Sequence, residues 1–510
     1  MRFVDVKNLG LAGLLFILAT LFLKISGLIR DMVFAFYFGT SIEADAYTIA
    51  FTFTNIVILF LNTGMKNALV PTYMNALENR RGAYHLSQVM RSTAIVSLVI
   101  SALGAAFAPL YIPFIYYGLD EKGTDIAVFV TIIFFSSIVA VGMNAVLEAY
   151  FDANHRFAIS VVSQILVMAS SITAAVFFAS TIGVYSLAFG YLAGTILSLL
   201  LKMLFFVPKG TYSLRWKFDR KEIRSFYLIF IPVAVTAMIG QINLTVDHAF
   251  ASPYGKGIVN YITFAKNLVH FPQAIIAVTI GTMIFPMLSK AQTSNNKKLF
   301  KMGLQRGIST MSLILFPALA GMVWLMPGII EAIYQRGAFT KEATEATTTV
   351  AYYYIGSVLF FSLQTVLNKG FYAMNKGQVI FRIGILSILL NGICNYIFTN
   401  MMDSYMGIPL ASSFVAFIYF IASYYLFTKL MDKSNQKELM MDLSKILLSV
   451  LFMLIVLWCI RPLTASLPNL VEIAAVSAAG AAAYIGAVFM LRVSAVTFLI
   501  SVFIKRKSIE

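Results

Sequence analysis

Charge is scarce in this chain. Only 12% of its 510 residues are Asp, Glu, Lys or Arg, about half the roughly 25% of a soluble domain, and that shortage excludes an ordinary water-facing globular surface. Cysteine is scarcer: Cys394 and Cys459 both sit inside apolar segments. This points to buried thiols and away from a disulfide framework or metal centre. The four histidines show no clustered ligand spacing, a second argument against a metal site. No GxxxxGKS or GxxxxGKT phosphate loop occurs, so ATP is not an energy source within this chain.

What is abundant is apolar sequence, at 60% of residues. A membrane-spanning helix needs roughly 20 consecutive, mostly apolar residues. Fourteen such segments are expected, near residues 8–30, 45–68, 92–116, 125–150, 157–180, 184–207, 224–250, 258–288, 307–332, 347–372, 378–401, 406–428, 443–465 and 470–497. The short alternating segments of a membrane β-barrel are absent. The run from Leu9 to Leu23 continues through Lys24 to Arg30 without a small-residue cleavage site, so it reads as a retained first span. The fold class is thus a polytopic, all-α membrane protein of about 14 transmembrane helices.

A net charge of +16 would suit a nucleic-acid partner, but its distribution argues against one. Basic residues crowd alternate loops, including "KGTYSLRWKFDRKEIR", "KAQTSNNKKLFKMGLQR" and the tail "KRK". By the positive-inside rule these loops and both termini face the cytoplasm. The longest loops on the other side, near 117–124 and 333–346, are too short to hold a catalytic domain.

The chain repeats itself. "RDMVFAFYFG" (Arg30 to Gly39) and "VDHAFASPYG" (Val246 to Gly255) share Asp, then Phe-Ala, then an aromatic before Gly. "VLEAYFDANHR" (Val146 to Arg156) is echoed by "VLNKGFYAMNK" (Val366 to Lys376). Asp45 to Pro71 spans the same distance as Asn260 to Pro286. Three echoes at nearly one offset imply two parallel six-span units, 1–222 and 223–432, followed by 433–510 with two extra spans and a cytoplasmic tail. Paired repeats around a central site are a transporter design that works by alternating access.

Charges inside spans cost roughly 2.5–3.5 kcal/mol each and mark candidate sites. They are Lys24, Arg30, Asp31, Asp45, Lys66, Glu148, Asp247 and Lys266. Two readings stand for the set. Arg30, Asp31 and Asp247 can be interface residues that snorkel or cap helix ends, and Glu148 a helix-packing residue. Alternatively the four cations of the set line a cavity for an anion such as a diphosphate, for which Lys supplies a point charge and Arg a planar fork. Acids such as Asp45 would then pair the cations of the empty site or bind a coupling ion.

The segment "SGLIRDMVFAFYFGTSIEADAYTIAFTFTNIVILFLNTGMKNALVP" resembles the MurJ/MviN lipid II flippase family, within the superfamily of multidrug, oligosaccharidyl-lipid and polysaccharide exporters. "YITFAKNLVHFPQAIIAVTIGTMIFPMLSK" is similar to that family's eighth-span region. The resemblance implies two six-helix lobes around a cationic cavity, and a groove from the last two spans for a polyprenyl tail. It implies flipping of undecaprenyl-diphosphate-linked peptidoglycan precursor from the inner to the outer leaflet of the bacterial cytoplasmic membrane, and no enzyme activity. Lys24 stands where the family usually has a cavity arginine, Arg30 keeps the next one, and Asp45 and Asn55 match acidic and amide positions. Ile58 and Asn267 stand where arginines are common, with Lys266 beside the latter as a substitute, and His270 stands where an acid is often found. The implied substrate-binding set is Lys24, Arg30, Asn55, Lys66, Asn260, Lys266 and Asn267; the ion-coupling or gating set is Asp31, Asp45 and Asp247.

Partners under this reading are the undecaprenyl-diphosphate-linked glycolipid, membrane lipids and the cell-wall synthesis machinery. No covalent cofactor is expected; the energy source is a Na+ or H+ gradient or the membrane potential. A flippase for another wall or capsular oligosaccharide is the alternative. A drug or cation antiporter, whose cargo a cationic cavity would repel, and a membrane glycosyltransferase stand further off.

Overall fold

The computed structural model describes residues 22, 25–208, 210, 211, 213, 217–430 and 436–499. Among these the chain is helical throughout, without a strand. Helix α1 is described over residues 25–38. It is followed by α2 (Ile42–Glu78), α3 (Gly82–Ile115), α4 (Glu121–Ser136), α5 (Ile138–Ala153), α6 (Phe157–Ile182) and α7 (Tyr185–Leu201), which runs on into a π-helical turn, Lys202–Phe206. Then come α8 (Arg220–Ala251), α9 (Ile258–Thr293), α10 (Lys297–Tyr334), α11 (Lys341–Ala373), α12 (Gly377–Met402), α13 (Gly407–Leu430), α14 (Lys437–Thr464) and α15 (Asn469–Met490). Among the described residues twelve helices are long and apolar enough to cross a membrane, and α4 with α5, bent by 41° at their junction, bring the count to thirteen if the pair is one broken span. The expected first span lies mostly outside the described residues, Lys24 included, so the count of fourteen is not established.

Local chemistry explains the helix starts. Ser41 accepts from the Ala44 N–H at 3.1 Å, and Asn296 from the Leu299 N–H at 2.9 Å. Asp120 and Asp219 cap α4 and α8 in the same way, each satisfying donors that a first helical turn leaves orphaned. The Tyr84 hydroxyl donates to Asp219 at 2.8 Å, and this bond holds the Asp219 carboxyl below the usual carboxylate range. Outward faces carry Leu98, Leu110, Phe114, Phe177, Leu386 and Trp458, an apolar surface that only a lipid environment accommodates on this scale. Cys394 is buried as its apolar surroundings suggest, but Cys459 is exposed on α14: an apolar segment need not be an interior one when the solvent is lipid.

The duplication is written into the backbone. Helix α9 follows α2 at an offset of 215–216, and α12 follows α6 at 220, with 26 residues in each of that pair. Left-handed residues recur in step: Gly39 and Gly255, Arg80 and Asn295, His155 and Asn375, Gly183 and Asp403. Each pair ends equivalent helices, where a single left-handed residue turns the chain out of the helix. Ser137 and its counterpart Ser357 even bond the same carbonyl, three residues back, at 2.6 and 2.7 Å. The helix breaks at Ser137 and continues through Ser357; the structure offers no physical account of that difference.

Two compact units form, residues 1–260 with 336–340, and 261–335 with 341–510. In the first, α2 packs along α8. Gly64 permits this approach, since a Cβ there would lie 2.5 Å from that of Ala234. Gln241 then ties the two helices by accepting from Asn55 at 3.0 Å and donating to the Thr52 carbonyl at 2.9 Å. The seventh span, first of the second repeat, therefore packs with the first repeat. In the second unit α9, α10 and α11 build one apolar core, joined by Phe427 of α13, and α10, α14 and α15 build another.

Candidate functional site

On α2, Tyr47, Phe51, Asn55, Ile58, Leu59, Asn62, Thr63 and Lys66 recur every three or four residues and so share a face. That face forms one wall of a cavity of about 480 Å³ inside the first unit. From Tyr47 to Lys66 the wall is roughly 28 Å long at 1.5 Å per residue, close to the thickness of a bilayer core. Arg30, Asn144, Glu148, Gln164, Ser171, Tyr191, Thr195 and Ser198 complete its polar lining.

Near one end stands Arg30. Its guanidinium pairs with Asp31 at 2.8 Å and lies 5.0 Å from the centre of the Phe51 ring, with 28% of its side chain exposed. At the other end Lys66 reaches Glu148 at 3.2 Å and Asp152 at 3.6 Å. Behind them Lys202, 1% exposed, donates to Glu148 at 3.0 Å and to the Asn144 amide oxygen at 2.8 Å. Gln164 donates to the second Glu148 oxygen at 2.9 Å, and Ser160 to Asp152 at 2.8 Å. Two lysines face two carboxylates, so the cluster is formally neutral and densely bonded, the condition under which buried charge is tolerated.

Of the expected binding residues, Arg30, Asn55 and Lys66 meet in this cavity. Asp45 and Asn260 meet elsewhere, with each other. The Asp45 carboxylate accepts from the Asn260 side chain at 2.6 Å and backbone N–H at 3.0 Å, and from the Gly257 N–H at 2.5 Å. Thr48 donates to the Asn260 oxygen at 2.7 Å. Asp45 thus caps the first turn of α9, joining positions that the repeat makes equivalent. Asp247 is fully buried near the end of α8. In the second unit Lys266 lies 5.6 Å from the Tyr354 ring, Asn267 is exposed, and His270 bonds Gln273 at 2.6 Å and Ser357 at 3.1 Å.

Sequence reasoning passed over Asn144, Gln164 and Lys202, and gave Glu148 a packing role. Lys202 carried a signal: it is a charge within the otherwise apolar run "LSLLLKMLFFVP". The second repeat keeps a polar site here without the carboxylates. Gln364 and Asn368, the counterparts of Asn144 and Glu148, bond each other at 2.8 Å, and Gln364 donates to Ser423 at 2.9 Å.

A separate groove of about 740 Å³ lies in the second unit among α10, α14 and α15. It is lined by Pro317, Gly321, Leu457, Gly480, Tyr484 and other almost wholly apolar residues. Small residues keep it open, and the Tyr484 hydroxyl is removed from it by donating to the Leu313 carbonyl at 2.7 Å.

The model of the family described as lipid II flippase MurJ matches residues 34–476. The chain belongs to this family. Among its relatives, the probable lipid II flippase MurJ of Aquifex aeolicus is 26% identical over 405 residues, covering 79% of this chain and 80% of that protein. The lipid II flippase MurJ of Thermosipho africanus is 28% identical over 410 residues, covering 80% and 83%. A solved lipid II flippase MurJ in an inward closed conformation superposes with a TM-score of 0.79 at 26% identity, over 94% of this chain and 99% of that one. An inward-facing multidrug resistance MATE transporter of the MOP superfamily gives 0.66 at 12% identity, over 82% and 100%, a likeness of fold alone. Membership of the MurJ family accords with the all-helical, multi-pass fold.

Proposed function

We propose that this chain is a flippase carrying lipid II, the undecaprenyl-diphosphate-linked peptidoglycan precursor, from the inner to the outer leaflet of the bacterial cytoplasmic membrane. The observation that carries the reading, beside family membership, is the polar cavity with Arg30 and Lys66 near its ends. A diphosphate needs cations at membrane depth, and the cavity supplies them along the thickness of the bilayer core. The apolar groove of α10, α14 and α15 supports the lipid part of the reading, since its volume and apolar lining suit an isoprenoid chain. Movement is by alternating access, driven by an ion gradient or the membrane potential, with both termini cytoplasmic. The chain moves its substrate and makes or breaks no covalent bond in it.

The test is to express the protein in bacteria whose own lipid II flippase can be shut off, reading viability together with lipid II accessible at the outer leaflet. Rescue by the wild type that is lost in Arg30→Ala, at equal membrane levels, is the expected result. One observation favours a second cargo: Ile58, where arginine is common in the family, lines the cavity and leaves it one cation poorer. A correctly inserted protein that fails to rescue would transfer the assignment to another lipid-linked glycan.

A further inference from the structure

The four charges at the Lys66 end of the cavity are not equivalent. Lys202 is sealed in, 1% exposed, with Glu148 and Asn144 as its partners. Lys66 keeps 31% of its side chain exposed and lines the cavity. Glu148 is bonded three times, by Lys202 on one oxygen and by Gln164 and Lys66 on the other. Without Lys66 it would still have a cation and an amide donor. Asp152 would still have the Ser160 hydroxyl and, with 16% of its side chain exposed, access to water. Lys66 is thus the one cation of the cluster that can leave without stranding a buried carboxylate.

We infer that Lys66 is a displaceable cation, exchanging Glu148 and Asp152 for the diphosphate of an entering substrate, while Lys202 stays behind to neutralise Glu148. This rests on the flippase reading above and adds a loading step to it. In the empty cavity the carboxylates hold Lys66 and prevent an uncompensated positive charge at membrane depth. A diphosphate offers more negative charge and more acceptor oxygens than the 3.6 Å contact to Asp152, so the exchange is favourable once it arrives. The substrate then advances along Asn62 and Asn55, whose amides line the same face of α2, toward Arg30. Arg30 has its own tethered acid in Asp31, so each end of the cavity carries a cation with a local counter-ion. On the orientation proposed above, Lys66 lies toward the cytoplasmic side and receives the substrate first.

The experiment measures binding of undecaprenyl diphosphate, with undecaprenol as the uncharged control, to the full-length purified protein in detergent. Lys66→Gln should weaken binding of the diphosphate by at least about tenfold, the scale of a lost charge-assisted contact, and leave undecaprenol unchanged. Lys66→Arg should restore it. Asp152→Asn removes a competitor for Lys66 and should tighten diphosphate binding severalfold. Undiminished binding in Lys66→Gln, with binding lost in Arg30→Ala, overturns the inference while leaving the flippase reading intact. Unaltered affinity in Asp152→Asn overturns the exchange, and decides the matter if Lys66→Gln fails to fold. A wild-type protein that does not distinguish diphosphate from alcohol overturns this inference and the flippase reading together.

Discussion

Replacing Lys202 with Met tests whether the charge cluster is structural at its core. Methionine fills similar space, so packing loss is small and the ammonium is what disappears. Glu148 would lose its 3.0 Å partner and Asn144 a 2.8 Å donor. Breaking a buried ion pair from one side costs about 3–5 kcal/mol. The lower end applies, because Lys66 at 3.2 Å and Gln164 at 2.9 Å continue to serve Glu148. A 150–250-residue domain loses roughly 2–4 °C per kcal/mol, so about 3 kcal/mol predicts a fall in Tm of roughly 6–12 °C. The assay is thermal unfolding in detergent at one fixed scan rate, since large membrane proteins seldom unfold reversibly. The double variant Lys202→Met with Glu148→Gln removes both charges and should recover most of the loss. A single variant as stable as wild type, or a double variant no better than the single, refutes the pairing argument.

Three further outcomes are expected. Gly64→Ala places a methyl 2.5 Å from the Ala234 Cβ and 2.9 Å from the Phe230 ring; the overpacking should cost about 1–3 kcal/mol, partly recovered by adding Ala234→Gly, both read by thermal unfolding. Asp45→Ala leaves the Gly257 and Asn260 donors without their acceptor, and the lost cap and stranded polar groups should together cost about 2–4 kcal/mol in the same assay. Gly480→Leu narrows the apolar groove, where a Cβ already meets Leu457 at 3.4 Å; outer-leaflet lipid II should fall in the rescue assay with membrane levels unchanged, and normal transport would remove the groove from the lipid path.

Hydropathy exposed the helices because it is a property of each segment alone, and the repeat was legible because duplicated turns keep their turn residues. The echo ending at Gly39 and Gly255 sits on a pair of left-handed glycines, a constraint the sequence must preserve to leave the helix. Arg30 and Lys66 were legible as charged intrusions in apolar helices, and Asn55 only through the family resemblance. Lys202 was not, although it intrudes as plainly, because it lies near a span's end, where a lysine ordinarily snorkels to water. Only the neighbouring α5, 54 residues earlier in sequence at Glu148, turns it from an interface residue into a buried partner. Pairing is a property of two segments, and no reading of either alone contains it.

The same limit explains Asp45. Read along its helix it is an acid inside a span and therefore a candidate for ion coupling; what only the fold adds is that it also caps α9, held by the residue that occupies its own place in the second repeat. Glu148 moves the opposite way, from a packing residue to the centre of a cluster lining the cavity. Its counterpart Asn368 is neutral and bonds Gln364, so the duplicated scaffold keeps a polar site in both halves but places the two carboxylates in only the first. The position of Lys66 on the cavity wall, paired to Glu148 and Asp152, is the observation on which the proposed handling of an anion rests.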